Sequence, residues 1–191
     1  MGEVLTFSAK LDKAEMRSNT LHGHAAVFFQ EAIVENGIRE RIAPTAFTDA
    51  LDRSDTDVRA LINHDPNLVL GRQSSGTLRV KIDREGLAFE VDLPDTSYAN
   101  DLKELVQRGD VDGASFAAIP GKYTLNEQND GSLIRTHTTM ERLLDVSAVT
   151  YPAYKSAAVA LRSFDPYAQT KSELRSRLIR ARWAQKRMRT Q

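Results

Sequence analysis

Apolar and polar residues alternate with a period of two along most of the first 150 positions. That alternation restricts the chain to a fold dominated by short, half-buried strands. Leu5, Phe7, Ala9 and Leu11 form the first such series, and Leu21, Gly23, Ala25, Val27 and Phe29 the second. Ile38 and Ile42 lie on one side of "GIRERIAP". Leu78, Val80 and Ile82 lead through the turn "DREG" into Leu87, Phe89, Val91 and Leu93, which predicts a hairpin. "VDGASFAAI" and "LLDVSAVTY" predict two further strands on either side of a polar hairpin tip, "NEQNDG". Two helices interrupt the pattern. Pro44 opens the first, with Phe47, Ala50 and Leu51 as its apolar stripe. "TSYANDLKELVQRG" predicts the second, entered through a Thr/Ser cap, closed by Gly109 and turning Leu102, Leu105 and Val106 inward. The expected class is α+β, built as a small closed or curled β-barrel with surrounding helices.

The pattern changes near Pro166. Leu174, Leu178, Ile179 and Trp183 fall at helical spacing on a basic segment, which predicts a C-terminal basic amphipathic helix. The formal net charge of zero conceals this division. Residues 165–191 hold eight of the 26 Lys/Arg and two of the 26 Asp/Glu, a charge of +6, so the remainder carries −6. The expected organisation is a catalytic or binding body over 1–164 and a basic helical tail over 165–191.

With no cysteine among 191 residues, disulfides, thiolate catalysis and Cys-based zinc sites are excluded. No apolar run approaches the roughly 20 residues of a membrane span. The N-terminus "MGEVLTFSAK" lacks the regions of a signal peptide. Its loose match to a myristoylation pattern is set aside, because the same residues alternate as a strand.

Four histidines are present, so each can be weighed. His22 and His24 share a strand face at a spacing that could hold a metal, but no third ligand is visible and two polar strand positions are the plainer reading. His137, in "RTHTT", is expected on an exposed strand. His64 differs. In "LINHDPNLVLGR" it continues the apolar series Val58, Ala60, Ile62, and Asn63, Asp65 and Pro66 then break the strand. Such a position is often structural, yet it also suits a base that must be held still.

Two other spots carry chemistry. In "GASFAA", Gly113, Ser115 and Ala117 share a face, and the small neighbours leave room for a substrate backbone beside a hydroxyl. Close packing of another element is the plain alternative. Gly113 precedes Ser115 by two, but Ala117 follows it, so this is not the nucleophile elbow of an α/β-hydrolase. In "RLLDVSAVTYPAY", Leu143, Asp145, Ser147 and Val149 share a face, and a carboxylate in so apolar a strand needs a partner. A histidine, an arginine or a set of backbone amides would serve. His64, Ser115 and Asp145 supply a base, a nucleophile and an orienting acid, although any chain of this length contains all three residue types.

"ERIAPTAF", "LINHDPNLVLGRQSSGTLRVKIDREGLAFEVDLPDT", "ELVQRGDVDGASFA" and "LLDVSAVTYPAY" occur in an order and at spacings that resemble the prohead maturation proteases of tailed phages. That family belongs with the herpesvirus assemblins, and the resemblance covers roughly residues 20 to 160. It implies a serine endopeptidase on a small β-barrel, packaged with scaffold protein inside the procapsid in the bacterial host cytoplasm. On the matching motifs it places the catalytic histidine at His64 and the serine at Ser115. The third member of assemblins is a second histidine on a late strand. The phage members have an acid at the corresponding position, which is Asp145 here. Glu141 is the nearest alternative and Asp65 a weaker one. No metal or organic cofactor is implied.

The sequence departs from the family in two places. Ala117 stands where a glycine is common, so backbone approach beside the serine is expected to be tighter. Tyr151, Pro152, Ala153 and Tyr154 replace the paired arginines that assemblins carry near the oxyanion, so no oxyanion donor is assigned.

The implied partners are scaffold protein and major capsid protein as substrates, with a homodimer by analogy with assemblins. The tail has three candidate roles: a solvated helix packed on the body, nucleic-acid binding, or docking to scaffold or inner capsid surface followed by self-cleavage. Nucleic acid is disfavoured, because the body is acidic and no aromatic stacking platform is visible. The alternative to an enzyme is an inactive capsid-associated structural or scaffolding protein that retains the protease fold.

Overall fold

The computed structural model describes residues 5–10, 19–34 and 38–151. The predicted tail helix over 165–191, and Leu11 of the first strand series, lie outside the described residues. Twelve strands and two helices account for most of the rest. They are β1 (Leu5–Lys10), β2 (Thr20–Val27), β3 (Ala32–Val34), β4 (Ile38–Ile42), α1 (Thr48–Asp52), β5 (Arg59–Ile62), β6 (Asp65–Arg72) and β7 (Leu78–Ile82). β8 (Gly86–Asp92), α2 (Ser97–Arg108), β9 (Gly113–Pro120), β10 (Tyr123–Glu127), β11 (Leu133–His137) and β12 (Met140–Val149) follow. Neither described helix is long and apolar enough to cross a membrane.

The strands do not close into a barrel. They form three open sheets with the orders β1-β9-β12-β5-β6, β10-β11-β4-β3 and β2-β8-β7. The described residues are therefore mostly β-sheet with few helices, which corrects the closed-barrel expectation. One physical reason is visible at β6. Pro66 lacks a backbone donor and suits an edge strand, and the Tyr98 hydroxyl of α2 donates to the Val69 carbonyl at 2.8 Å where a further strand would otherwise pair.

The predicted hairpin is present as antiparallel β7 and β8, with Leu78 opposite Val91 and Ile82 opposite Leu87. β2 joins the same sheet but ends at Val27; Phe28 and Phe29 turn away, and Phe29 is exposed at a φ of 57°. Thr96 holds the N-cap position of α2 in extended conformation, though its hydroxyl makes no capping bond. Gly109 ends that helix at a φ of 82°, a left-handed geometry that glycine adopts without Cβ strain.

One apolar cluster joins the three-stranded sheet to the five-stranded sheet and to both helices. Phe47 and Phe116 meet edge to face at 4.9 Å within it. Val91 and Leu87 come from β8, Leu102 from α2, and Ala114, Phe116 and Ala118 from one face of β9. That leaves the opposite face of β9 for polar use.

The four-stranded sheet contributes Ala32 and Ile42 to that cluster and also buries charge. β11 runs parallel to β4 with Arg135 opposite Glu40, and Arg135 Nη1 donates to Glu40 Oε1 at 2.5 Å. The Tyr123 ring of β10 lies 5.1 Å from the Arg135 guanidinium. His137, expected on an exposed strand, is buried with its Nε2 at 3.5 Å from Glu40 Oε2. The alternation of "IRERI" explains this: Glu40 shares a face with Ile38 and Ile42, and a buried carboxylate needs polar partners around it.

Candidate active site

A two-residue turn sets His64. β5 and β6 pair antiparallel with Ile62 opposite Asp65, so Asn63 and His64 alone make the connection. Their φ values are 50° and 58°. Successive positive φ angles characterise the type I′ hairpin turn, whose twist matches the flanking strands. Asn and His are among the non-glycine residues that enter this region most readily. His64 therefore does not continue the series Val58, Ala60, Ile62. The strand stops at Ile62, and Asp65 and Pro66 begin the next one instead of breaking this one.

β12 anchors that turn. The Asn63 N–H donates to the Ala148 carbonyl at 2.8 Å. The Asn63 side-chain carbonyl accepts the Thr150 N–H at 3.0 Å, and its amide donates to the Thr150 hydroxyl at 3.3 Å.

Ser115 sits in the middle of β9, between β1 and β12, with Ser147 directly across on β12. Its neighbours Ala114 and Phe116 enter the core, while Ser115 is on the other face and 1% exposed. Asp145 follows a β-bulge. Leu143 pairs with Ala118 and Asp145 with Ala117, so the strand slips one residue there. In consequence Leu143 joins Val146 and Ala148 in the apolar cluster, which removes it from the face it was expected to share with Asp145 and Ser147.

These three elements bring their side chains together. His64 Nδ1 lies 2.6 Å from Asp145 Oδ1, and His64 Nε2 lies 2.8 Å from Ser115 Oγ. Asp145 is buried, and the His64 side chain is 24% exposed, so the imidazole forms the accessible part of the group. An imidazole with a carboxylate on one nitrogen and a hydroxyl on the other can take the hydroxyl proton as the oxygen becomes a nucleophile.

The other acids lie elsewhere. Glu141 is exposed at the start of β12, where its charge acts on Arg53. Asp65 accepts the backbone and side-chain N–H groups of Asn67, both at 2.9 Å. His24 Nε2 pairs with Asp83 Oδ2 at 2.9 Å on the three-stranded sheet.

Two residues of the site carried no role in the sequence reading. Asn63 was legible as the first half of a two-residue hairpin loop, a position where Asn is favoured. Ser147 was legible as the i+2 neighbour of Asp145 on one strand face. Its hydroxyl contacts Asp145 Oδ1 at 2.9 Å, the His64 N–H at 3.2 Å and His64 Nδ1 at 3.3 Å.

The chain is similar to the solved structure of the bacteriophage T4 capsid assembly protease, gp21, at 13% identity and a TM-score of 0.49, with 78% of this chain and 98% of that chain covered. No curated protein matches it. A sequence model of the caudovirus prohead serine proteases matches residues 7–170, most of the chain. The protein belongs to that family of serine peptidases.

Proposed function

We propose that the protein is a serine endopeptidase with His64, Ser115 and Asp145 as its catalytic residues. Its substrates are scaffold protein and major capsid protein inside the procapsid, and copies of itself. The observation that carries this reading is the unbroken series Asp145–His64–Ser115, at 2.6 and 2.8 Å, from three strands and turns far apart in the chain.

In this reading Ser115 Oγ attacks the peptide carbonyl while His64 Nε2 takes its proton. Asp145 holds the Nδ1 proton and favours the imidazolium that forms. His64 then returns the proton to the leaving amine, and water hydrolyses the acyl-enzyme through the same base. No metal or organic cofactor enters these steps. Membership of the prohead protease family supports the substrate choice, because a protease confined to the prohead meets scaffold, capsid protein and its own copies. The basic segment 165–191, at +6, serves to dock the enzyme on scaffold or on the inner capsid surface.

The test is co-expression with the cognate scaffold and major capsid protein, wild type beside Ser115→Ala, read by intact mass. Defined fragments from the wild type alone are expected. Identical masses in both, with assembled shells present, would favour the inactive structural protein instead.

A further inference from the structure

We propose that Ser147 is a positioning residue that fixes where the His64 ring and the Asp145 carboxylate sit, so that Nε2 stays aimed at Ser115. This rests on the catalytic reading above and adds a member to it.

A hydroxyl has one proton to give and two lone pairs to receive with. Ser147 is 1% exposed, and its three partners all belong to this site. The His64 backbone N–H can only donate, so it takes one lone pair of Ser147 Oγ at 3.2 Å. Asp145 Oδ1, as a carboxylate oxygen, can only accept, so it takes the Ser147 proton at 2.9 Å. Nδ1 stands 2.6 Å from Asp145 Oδ1, a carboxylate oxygen that can only accept, and 3.3 Å from Ser147 Oγ. Nδ1 must carry the ring proton, shared between the carboxylate and the remaining lone pair. Nε2 is thereby left bare and faces Ser115 Oγ at 2.8 Å as an acceptor.

Ser147 also holds the backbone. Its bond to the His64 N–H ties a residue at a φ of 58° to β12, beside the bond from Asn63 to Ala148. Without the hydroxyl, that N–H loses its partner and a lone pair of Asp145 is released. The imidazole and the carboxylate then gain a second position.

Two readouts test this, neither of which a purely structural role would move. In the isolated full chain, proton–nitrogen NMR of the His64 ring is expected to show one sharp set of ring signals in wild type and doubled or exchange-broadened ring signals in Ser147→Ala. The rate of labelling by a fluorophosphonate probe is expected to fall about 10- to 100-fold in Ser147→Ala, as for a misplaced catalytic group. Ser147→Thr, which keeps the hydroxyl, should recover both. An unchanged ring and a labelling rate within about two-fold of wild type in Ser147→Ala would overturn the proposal. Ser115→Ala separates the two readings. If it still cleaves scaffold, the catalytic assignment fails, whereas an inactive Ser115→Ala beside a fully active Ser147→Ala removes only the positioning role.

Discussion

Nδ1 of His64 lies 2.6 Å from Oδ1 of Asp145, although parallel pairing sets Ile62 opposite Ala148. A straight continuation of β5 would carry residue 64 level with Thr150, about 16 Å along the sheet from Asp145. The left-handed turn reverses the chain and returns the imidazole over β12. The same turn gives the first two expectations below their common origin.

Replacing the acid tests which carboxylate serves His64. Asp145→Asn keeps the shape but cannot hold the Nδ1 proton in the same way, so cleavage should slow by about 10³- to 10⁴-fold. Glu141→Gln should stay within about two-fold of wild type, as for most surface changes. Rates on a peptide spanning a mapped cleavage site decide the matter, and equal losses in the two variants would reject Asp145.

The turn itself has a measurable cost. Asn63→Ala should destabilise by about 2 kcal/mol, since alanine tolerates positive φ poorly and loses the Thr150 bonds. Asn63→Gly should lose roughly half as much, because glycine adopts this conformation freely. Urea unfolding of both in a Ser115→Ala background compares them, and equal midpoints would show that φ strain plays no part.

The Glu40–Arg135 pair belongs to a different sheet and answers to stability alone. Glu40→Ala strands a buried guanidinium and should cost about 3–5 kcal/mol. Replacing both partners with apolar residues of similar volume should cost far less, because burial of the pair is itself expensive. A double-mutant cycle by thermal melting measures this, and additive losses would deny the coupling.

Asp83 predicts a pH dependence. Burial pushes its carboxyl up, but the Gly86 N–H, the His24 ring and the Glu85 N–H together hold it below the ordinary value of 3.8. A depressed folded-state value means stability that is present above pH 3.8 and is lost as pH falls through the lower value. Asp83→Asn should therefore melt below wild type at pH 7, with the gap narrowing under pH 3.8. A gap that is constant down to acid unfolding would remove Asp83 from the acid limb.

The basic segment is tested by truncation before Asp165. The shortened enzyme should still cleave a soluble peptide but be missing from assembled proheads, counted by mass spectrometry of purified shells. Normal incorporation would reject the docking role.

Much of this was written in local pattern. The alternation in "TLRVKI" and "LAFEVDL" specifies the β7–β8 hairpin without reference to anything distant, because period-two burial and a turn are local properties. Helix α2 was legible for the same reason, down to the glycine that ends it, although Leu105, expected to face inward, is exposed. His64, Ser115 and Asp145 were each visible as odd polar residues in apolar surroundings. Their meeting depends on features that alternation does not encode: two left-handed residues at 63 and 64, a one-residue slip at Asp145, and a parallel pairing of β5 with β12 that brings His64 to an acid 81 positions away. The division into three open sheets likewise appears only in the strand orders of the assembled fold. Burial periodicity assigns a residue to a face, whereas the handedness of a turn and the register of distant strands emerge only when the whole sheet assembles.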